Sequence, residues 1–488
     1  MLPGQRKEYQ SDWPADSFLR WAVSVGFLSY SRTQDACSIT ELGLQYALAL
    51  EGSEEEAEVL KTAFLSYPPV CRVMSLLGEE EHLTKFEIGA RLGFIGEAGF
   101  TSIPQYMILE GLLEAETKEE KTKLLQDTEG TSDKYVRTIC SWLIQMGWIS
   151  KVAKEVTTGT GKKSSSAMIP QSYKLTLKGR TVIKHITGVS RFARIPKRVM
   201  WDMLATKVAD RDYLRNRRTY IIKYLEGSYR SPVQIKEYLE SKGLKEETET
   251  ILDDIKSFEN IGLQVKKSGD TYRIMEEIVG LELPEDGEFT LPVKSEVSVF
   301  KDYLRTHLTH VDHRYLILVD LGFDGSSDRD YEMKTAELFT AELGFMGARL
   351  GDTRKPDVCV YHGAHGLIID NKAYGKGYSL PIKQADEIYR YIEENKERDV
   401  RLNPNQWWKV FDESVTHFRF AFISGSFTGG FKDRIELISM RSGICGAAVN
   451  SVNLLLMAEE LKSGRMDYEE WFQYFDCNDE ISFPVSLT

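Results

Sequence analysis

Apolar positions along the chain change their spacing in a way that marks out elements. From Ser17 to Val25 they recur at helical spacing and Gly26 interrupts them. Phe27-Leu28-Ser29-Tyr30 and Ser38-Ile39-Thr40 then alternate like two strands about a polar turn. The same order returns as Ile139 to Met146, Gly147, then Trp148-Ile149-Ser150 and Tyr173 to Leu177, with a long Gly/Ser/Lys loop between the strands. A third, shorter copy runs from Ile251 to Ile261, through Gly262 to Leu263-Gln264-Val265 and Thr271 to Ile274. Helix, glycine and hairpin is the build of a winged helix-turn-helix module, whose helix has the width of a DNA major groove. Helix–hairpin units also serve as protein–protein adaptors, and periodicity alone leaves both readings open.

From about Glu276 to Pro292 the composition turns to Glu, Gly, Pro and Asp, as in Leu283-Pro284-Glu285-Asp286-Gly287-Glu288, which predicts an interdomain linker over 276–296. Beyond it the pattern predicts a helix from Tyr331 to Leu343. Two strand-like runs follow, Lys355 to Tyr361 and Gly366 to Tyr374, joined by a short turn that makes them antiparallel neighbours. Asp357 opens one strand and Asp370 closes the next, so both carboxylates fall at one end of the hairpin. The two-residue period of a strand puts Lys372 beside Asp370. Two carboxylates with a lysine are what metal-assisted phosphodiester hydrolysis requires. Mg²⁺ takes hard oxygen ligands from one or two carboxylates and keeps other positions for water and phosphate, while the lysine orients the attacking water or stabilises developing charge. PD…(D/E)xK is a short pattern, and a hairpin with surface charges satisfies it too.

The length of 488 residues exceeds what one hydrophobic core organises and implies two to four domains. Hydrophobic residues at 42% and charged residues at 28% are ordinary for a folded globular protein. No apolar stretch reaches signal-peptide or membrane-spanning length, so the expectation is a cytoplasmic protein with no membrane partner. Six cysteines lie scattered without a CxxC pair, which suggests reduced, mostly buried thiols and neither a disulfide framework nor a zinc ribbon. The formal charge of −12 does not exclude nucleic acid, because affinity depends on local lysine and arginine geometry. Between Lys178 and Arg198 stand seven basic and no acidic side chains (Lys178, Arg180, Lys184, Arg191, Arg194, Lys197, Arg198), suited to a phosphate backbone or to a solvated basic face. In Glu129-Gly130-Thr131-Ser132-Asp133-Lys134-Tyr135-Val136-Arg137, a cap-like Ser132/Asp133 pair opens a helix on which Lys134 and Arg137 share one face. Such side chains bridge guanine O6 and N7, and Glu129 can accept from a cytosine amino group, although a plain capped helix with exposed charges has the same sequence.

Longer segments carry a resemblance. Gly351-Asp352-Thr353-Arg354-Lys355-Pro356-Asp357, Ile369 to Tyr374, Gly377 to Ile382, Gln384 to Glu387, Asn403 to Trp408 and Phe422 to Phe427 are similar, in order, to the cleavage domain of the FokI-like type IIS restriction endonucleases. Trp13 with Phe18 to Trp21, Ser66 to Pro69, His82 to Phe86, Gly99 to Ser102 and Val199 to Trp201 extend the resemblance over nearly the whole chain. The fold it implies is multidomain: α+β winged helix-turn-helix DNA-binding modules followed by an α/β PD-(D/E)xK restriction-endonuclease-like domain. Its divisions would be a partial first winged-helix domain at 1–50, a second at 51–194, a third at 195–275, the linker at 276–296 and a nuclease domain at 297–488. The function it implies is binding of an asymmetric site in double-stranded DNA and Mg²⁺-dependent hydrolysis at a displaced position. The alternatives are a sequence-specific binding protein with an impaired nuclease domain and a nuclease for branched or modified DNA.

Residue by residue, the resemblance assigns metal binding to Asp357 and Asp370, catalysis to these two with Lys372, and base reading to Trp13, Glu129, Lys134 and Arg137. Pairing with a second copy of the nuclease domain falls to Asp386 and Arg390, which at four residues apart would also suit an intrahelical ion pair. Gln126 stands where the family has a base-contacting asparagine, and relatives carry a further N-terminal stretch with additional base contacts. His307, His310 and His313 are spaced like metal ligands but lack a closing ligand set, so they read as exposed helix and loop residues. His362 and His365 fall in the turn between the strands, where solvent exposure is expected and DNA contact is the alternative.

Overall fold

The computed structural model describes residues 13–31, 34–158, 165–189, 191–283, 294–351, 354–401 and 403–483, with side chains from residue 18 onward. The chain divides into two compact units, one of residues 1–94, 105–206 and 211–292, the other of 95–104, 207–210 and 293–488.

Three helix–glycine–hairpin segments build the first unit. Helix α1 (Trp13–Ser24) leads through Gly26 to the antiparallel strands β1 (Leu28–Ser31) and β2 (Ala36–Ile39), and helix α2 (Glu41–Leu48) follows. Helix α3 (Thr131–Gln145) leads through Gly147 to β3 (Ile149–Thr158) and β4 (Ser165–Leu175), then to α4 (Leu177–Thr187). Helix α5 (Thr248–Ile261) leads through Gly262 to β5 (Val265–Ser268) and β6 (Thr271–Ile274). Gly26, Gly147 and Gly262 sit at φ of 84°, 68° and 106°, the left-handed region in which a chain leaves a helix at lowest cost without a Cβ.

The first two segments share a second device. Thr40 Oγ1 donates to Gly26 O at 2.7 Å and accepts from Gly43 N at 3.0 Å; Thr176 Oγ1 donates to Gly147 O at 2.7 Å and accepts from Gly179 N at 3.1 Å. One hydroxyl thus ties the turn to the helix after the hairpin. A Cβ on Gly43 would lie 2.1 Å from Phe27 O, and one on Gly179 2.0 Å from Trp148 O, so backbone meets backbone at both places. Trp21 and Trp142 stand equally far before Gly26 and Gly147, and they pack edge to face with ring centroids 4.6 Å apart. Around them Val70, Val73, Met74 and Leu77 of the helix Pro68–Glu79 are buried with Val136, Ile139, Cys140 and Leu143 of α3. Each such side chain contributes about 1.5–3 kcal/mol of burial.

The third segment is held by charge. Arg217 and Arg218 donate from Nε to Asp254 of α5 at 2.7 and 2.8 Å, and all three side chains are buried. Two expectations change in this unit. Lys197, in the run of seven basic residues, is fully buried and donates to Leu65 O at 2.7 Å and Ile195 O at 3.1 Å, so it is not available to a phosphate. The stretch expected as a linker begins as packed structure: Glu276 is buried and Ile278–Val279 pairs in parallel with Lys197–Arg198. Its later residues 284–293 lie outside the described residues.

The second unit is a three-layer α/β/α arrangement. Helices α6 (Ile317–Phe323) and α7 (Asp328–Glu337) precede a five-stranded sheet of β7 (Met346–Arg349), β8 (Val358–His362), β9 (His365–Lys372), β10 (His417–Ser424) and β11 (Gly446–Asn450), in that spatial order. Strands β7, β8 and β9 are antiparallel neighbours; β9, β10 and β11 run parallel. Parallel neighbours need crossover helices. Helix α8 (Ile382–Glu397) joins β9 to β10, α9 (Phe431–Ser442) joins β10 to β11, and α10 (Ser451–Lys462) follows. Ile388, Tyr391, Ile392, Ile435 and Ile438 of α8 and α9 pack on Ile368, Phe420 and Phe422 of one sheet face. The other face meets α6, α7 and α10. Helix α7 begins at Asp328, earlier than the expected Tyr331, because Asp328 and Asp330 suit the positive end of a helix dipole; a π-helical turn Leu338–Glu342 continues it. Among the described residues no helix is long and apolar enough to cross a membrane.

Candidate active site and recognition face

Val358 lies opposite Ile369 in the antiparallel pair of β8 and β9, which brings Asp357, just before β8, and Asp370, in β9, across from one another. Lys372 Nζ donates to Asp370 Oδ1 at 2.9 Å and stands 3.9 Å from Asp357 Oδ2. Asp357 Oδ2 in turn accepts the backbone N–H of Asn371 at 2.7 Å, and the Asn371 amide donates to Thr335 of α7 at 2.8 Å. Strand alternation aligns Asp370 with Lys372, and the hairpin register brings in Asp357.

The two carboxylates are largely withdrawn from water. Burial and the facing Asp370 carboxylate push the Asp357 carboxyl up to about 9. Burial disfavours the Lys372 ammonium, but Asp370 and Asp357 outweigh it and hold the group above the usual lysine value. Asp370 Oδ2 is buried and finds no hydrogen-bond partner among the described residues. An unsatisfied buried carboxylate oxygen is costly and calls for a cation. The donor set fits Mg²⁺, which binds through one or two carboxylates and keeps waters. A pocket of about 290 Å³ is lined by Asp357, Asn371 and Lys372 together with Asp328, Glu332 and Gln384. Sequence reading missed Asp328 and Glu332 as site residues. Their signal was an acidic pair four apart on a helix, which shares one face. Glu332 is held there by Arg349 at 2.7 Å.

In the first unit, Lys134 and Arg137 are both exposed on α3. Gly130 occupies the cap position in place of Ser132, and Asp133 reaches back to its N–H at 2.9 Å. Glu129 is only 5% exposed: Lys85 Nζ lies 2.5 Å from its Oε1 and Arg137 Nε 3.1 Å from the same atom. Trp13 opens α1, and its side chain lies outside the described ones.

Compared with known proteins, the chain is 40% identical over 487 residues to the type II restriction enzyme FokI of Planomicrobium okeanokoites, covering 98% of this chain and 84% of that one. The chain belongs to the FokI family of type II restriction enzymes. It is also 32% identical over 488 residues to the type II restriction enzyme StsI of Streptococcus sanguinis, covering 96% of this chain and 80% of that one. Residues 1–49 match the FokI recognition domain subdomain 1, 56–191 its subdomain 2, 204–270 the FokI D3 domain and 294–482 the FokI cleavage domain. The solved structure of restriction endonuclease FokI superposes with a TM-score of 0.90 at 39% identity, covering 98% of this chain and 85% of that one. FokI bound to DNA gives 0.91 at 38%, covering 99% and 84%.

In this FokI-family chain Asp386 and Arg390 sit on α8, and their ion pairs go elsewhere than to each other. Asp386 Oδ1 faces Arg441 of α9 at 3.3 Å, while Arg390 reaches Glu387 at 3.2 Å and Glu394 at 3.8 Å. The histidines do structural work. His310 donates its backbone N–H to Glu459, whose carboxylate also receives Thr309 and Val311. His362 stacks on Tyr468 at 3.5 Å and His365 on Phe472 at 5.2 Å, a sheltering that the turn sequence did not foretell. Cys71, Cys140 and Cys359 are buried as expected; Cys37 and Cys477 are exposed.

Proposed function

We propose that this type II restriction enzyme reads an asymmetric site in double-stranded DNA through its N-terminal modules and hydrolyses phosphodiester bonds at a displaced position with Mg²⁺. The division of labour would follow 1–50, 51–194 and 195–275 for recognition and 297–488 for cleavage, with 276–296 as a connection whose first residues, Glu276 to Val279, pack on the recognition side. The observation that carries the proposal is the constellation of Asp357, Asp370 and Lys372, with one buried carboxylate oxygen left unsatisfied.

Asp357 and Asp370 would hold the cation, which when bound polarises a phosphoryl oxygen and provides a hydroxide-like nucleophile. Everything else is done by the chain. The Asn371 N–H fixes the rotamer of Asp357, and Asp370 fixes the Lys372 ammonium, so both arrive preoriented. Lys372, kept charged by two carboxylates, orients the attacking water and stabilises charge building on the phosphate. Trp13, Glu129, Lys134 and Arg137 supply base contacts, and Asp386 and Arg390 mediate pairing with a second nuclease domain so that both strands are cut.

Digestion of a long unmethylated DNA with Mg²⁺, followed by sequencing of the ends, tests the reading. Ends at a constant distance to one side of a common asymmetric sequence are expected. Ends without a shared sequence, or ends confined to branched or modified substrate, would overturn it.

A further inference from the structure

Among the buried charges of the first unit, Lys85 is fully enclosed at the start of the short helix Lys85–Gly89 and far in sequence from its partners Leu125 and Glu129, which precede α3. Its ammonium donates to Leu125 O at 3.0 Å, near the C-terminal end of the helix Lys118–Asp127, and to Glu129 Oε1 at 2.5 Å. Carbonyls at a helix C-terminus lack intrahelical partners and carry partial negative charge, so a lysine there fixes where the helix ends. Lys85 therefore staples both sides of the short loop that runs from Thr128 to Gly130.

The same contact bears on Arg137. Glu129 is almost enclosed, yet it is paired with two cations: one that cannot leave, Lys85, and one that is half exposed, Arg137. Removing one partner of a buried ion pair is strongly unfavourable because a buried charge is left uncompensated. With Lys85 in place, Arg137 can turn from Glu129 to a base edge while the carboxylate keeps a counter-ion. Without it, Glu129 would retain Arg137.

We infer that Lys85 is a specificity-determining positioning residue: a permanent counter-ion to Glu129 that releases Arg137 for base reading and holds the Thr128–Gly130 loop in place without itself touching DNA. The inference rests on the proposed base-reading roles of Glu129 and Arg137.

Selection from a pool of randomised duplexes, with the full chain carrying Asp370→Ala so that bound DNA stays uncut, reads which base pairs are specified. Arg137→Ala and Glu129→Gln identify the base pairs each residue reads. Lys85→Met should lose discrimination by about tenfold or more at the Arg137 base pair, as expected for a lost bidentate contact, with affinity for random duplex unchanged. Adding Glu129→Gln to Lys85→Met should restore that base pair, since the carboxylate that holds Arg137 is gone. A merely structural lysine would not be rescued in this way. The proposal is overturned if Lys85→Met keeps every specified base pair, loses affinity evenly for all duplexes, or is not rescued. If Arg137→Ala and Glu129→Gln lose no base pair, the base-reading assignment itself is overturned and this proposal with it. Should Lys85→Met not fold, Lys85→Gln, which retains one donor to Glu129, takes its place under the same criteria.

Discussion

Lys372 and Asp370 meet at 2.9 Å through one carboxylate oxygen, while the other oxygen of Asp370 is buried with no hydrogen-bond partner among the described residues. The lysine therefore neutralises only part of a site that holds two facing carboxylates. Two consequences separate a metal site from a structural ion cluster. Asp357→Ala or Asp370→Ala should abolish cleavage and leave DNA binding intact, because each removes a proposed ligand from the cleavage unit. The unsubstituted protein should gain thermal stability when Mg²⁺ replaces a chelator, and either variant should lose that gain. A parallel loss of binding and cleavage, or a Mg²⁺ response unaltered in both variants, would contradict the assignment.

Lys134 and Arg137 project from one face of α3, but their circumstances differ: Arg137 is tethered to Glu129 at 3.1 Å. Lys134→Ala and Arg137→Ala should each weaken binding to the specific site by about 1–3 kcal/mol if the contact is a bidentate base pairing, with little effect on random duplex. Competition binding against random duplex at fixed salt measures this. Equal losses on both DNAs would reassign the residues to phosphate contact.

Asp254 gives the first unit a pH-dependent anchor. Burial alone would raise its pKa, but the Arg217 and Arg218 guanidiniums outweigh that and hold it down at about 2. A carboxylate whose folded pKa is depressed contributes stability that is fully present above its unfolded value and lost as pH falls through the folded one. The contribution should thus fade between about pH 4, near the unfolded aspartate value, and pH 2. Asp254→Asn, which leaves two buried arginines short of a counter-charge, should cost about 3–5 kcal/mol at neutral pH and flatten that part of the acid dependence. Denaturant unfolding at a series of pH values decides it; an unchanged acid limb in the variant would rule the anchor out.

What the sequence made legible was whatever is local. Gly26, Gly147 and Gly262 interrupt helical periodicity where the chain leaves a helix at positive φ, so the three hairpins could be found from spacing alone. Asp370 and Lys372 are two apart on one strand, and Asp357 is brought in by a short turn. What escaped depends on partners distant in sequence. Glu332 lies on a helix and enters the pocket only because α7 packs beside β8 and β9. Lys197 looked like its basic neighbours but is drawn inside by the Leu65 carbonyl, and Lys85 gave no sign of its bond to Glu129. The parallel strands β10 and β11 are set by long crossovers that carry no short-range signal. The resemblance to FokI-like enzymes reached the domain content by a route that periodicity does not offer.

Asp386 and Arg390 carry the proposed pairing of two nuclease domains, by which one hydrolytic centre per chain would cut two strands. Within the chain they face Arg441 and Glu387 on α8 and α9, Asp386 and Arg441 exposed and Arg390 and Glu387 half-buried, and pairs this open to solvent contribute little to stability. If they meet their counterparts across a two-fold axis, residue i of one copy faces j of the other and j faces i. Reversing one charge then leaves like charges opposed, whereas two complementary variants restore opposite signs in both contacts of the mixed pair. Cleavage of a one-site DNA should rise more steeply than linearly with enzyme concentration, with the free protein monomeric by analytical ultracentrifugation. Asp386→Arg and Arg390→Asp should each cut double-strand cleavage sharply without altering the unfolding midpoint, and an equimolar mixture should recover part of the activity. A mixture no more active than its components, or a rate linear in enzyme at high dilution, would show that a single nuclease domain cuts both strands and that these charges serve only the surface of their own chain.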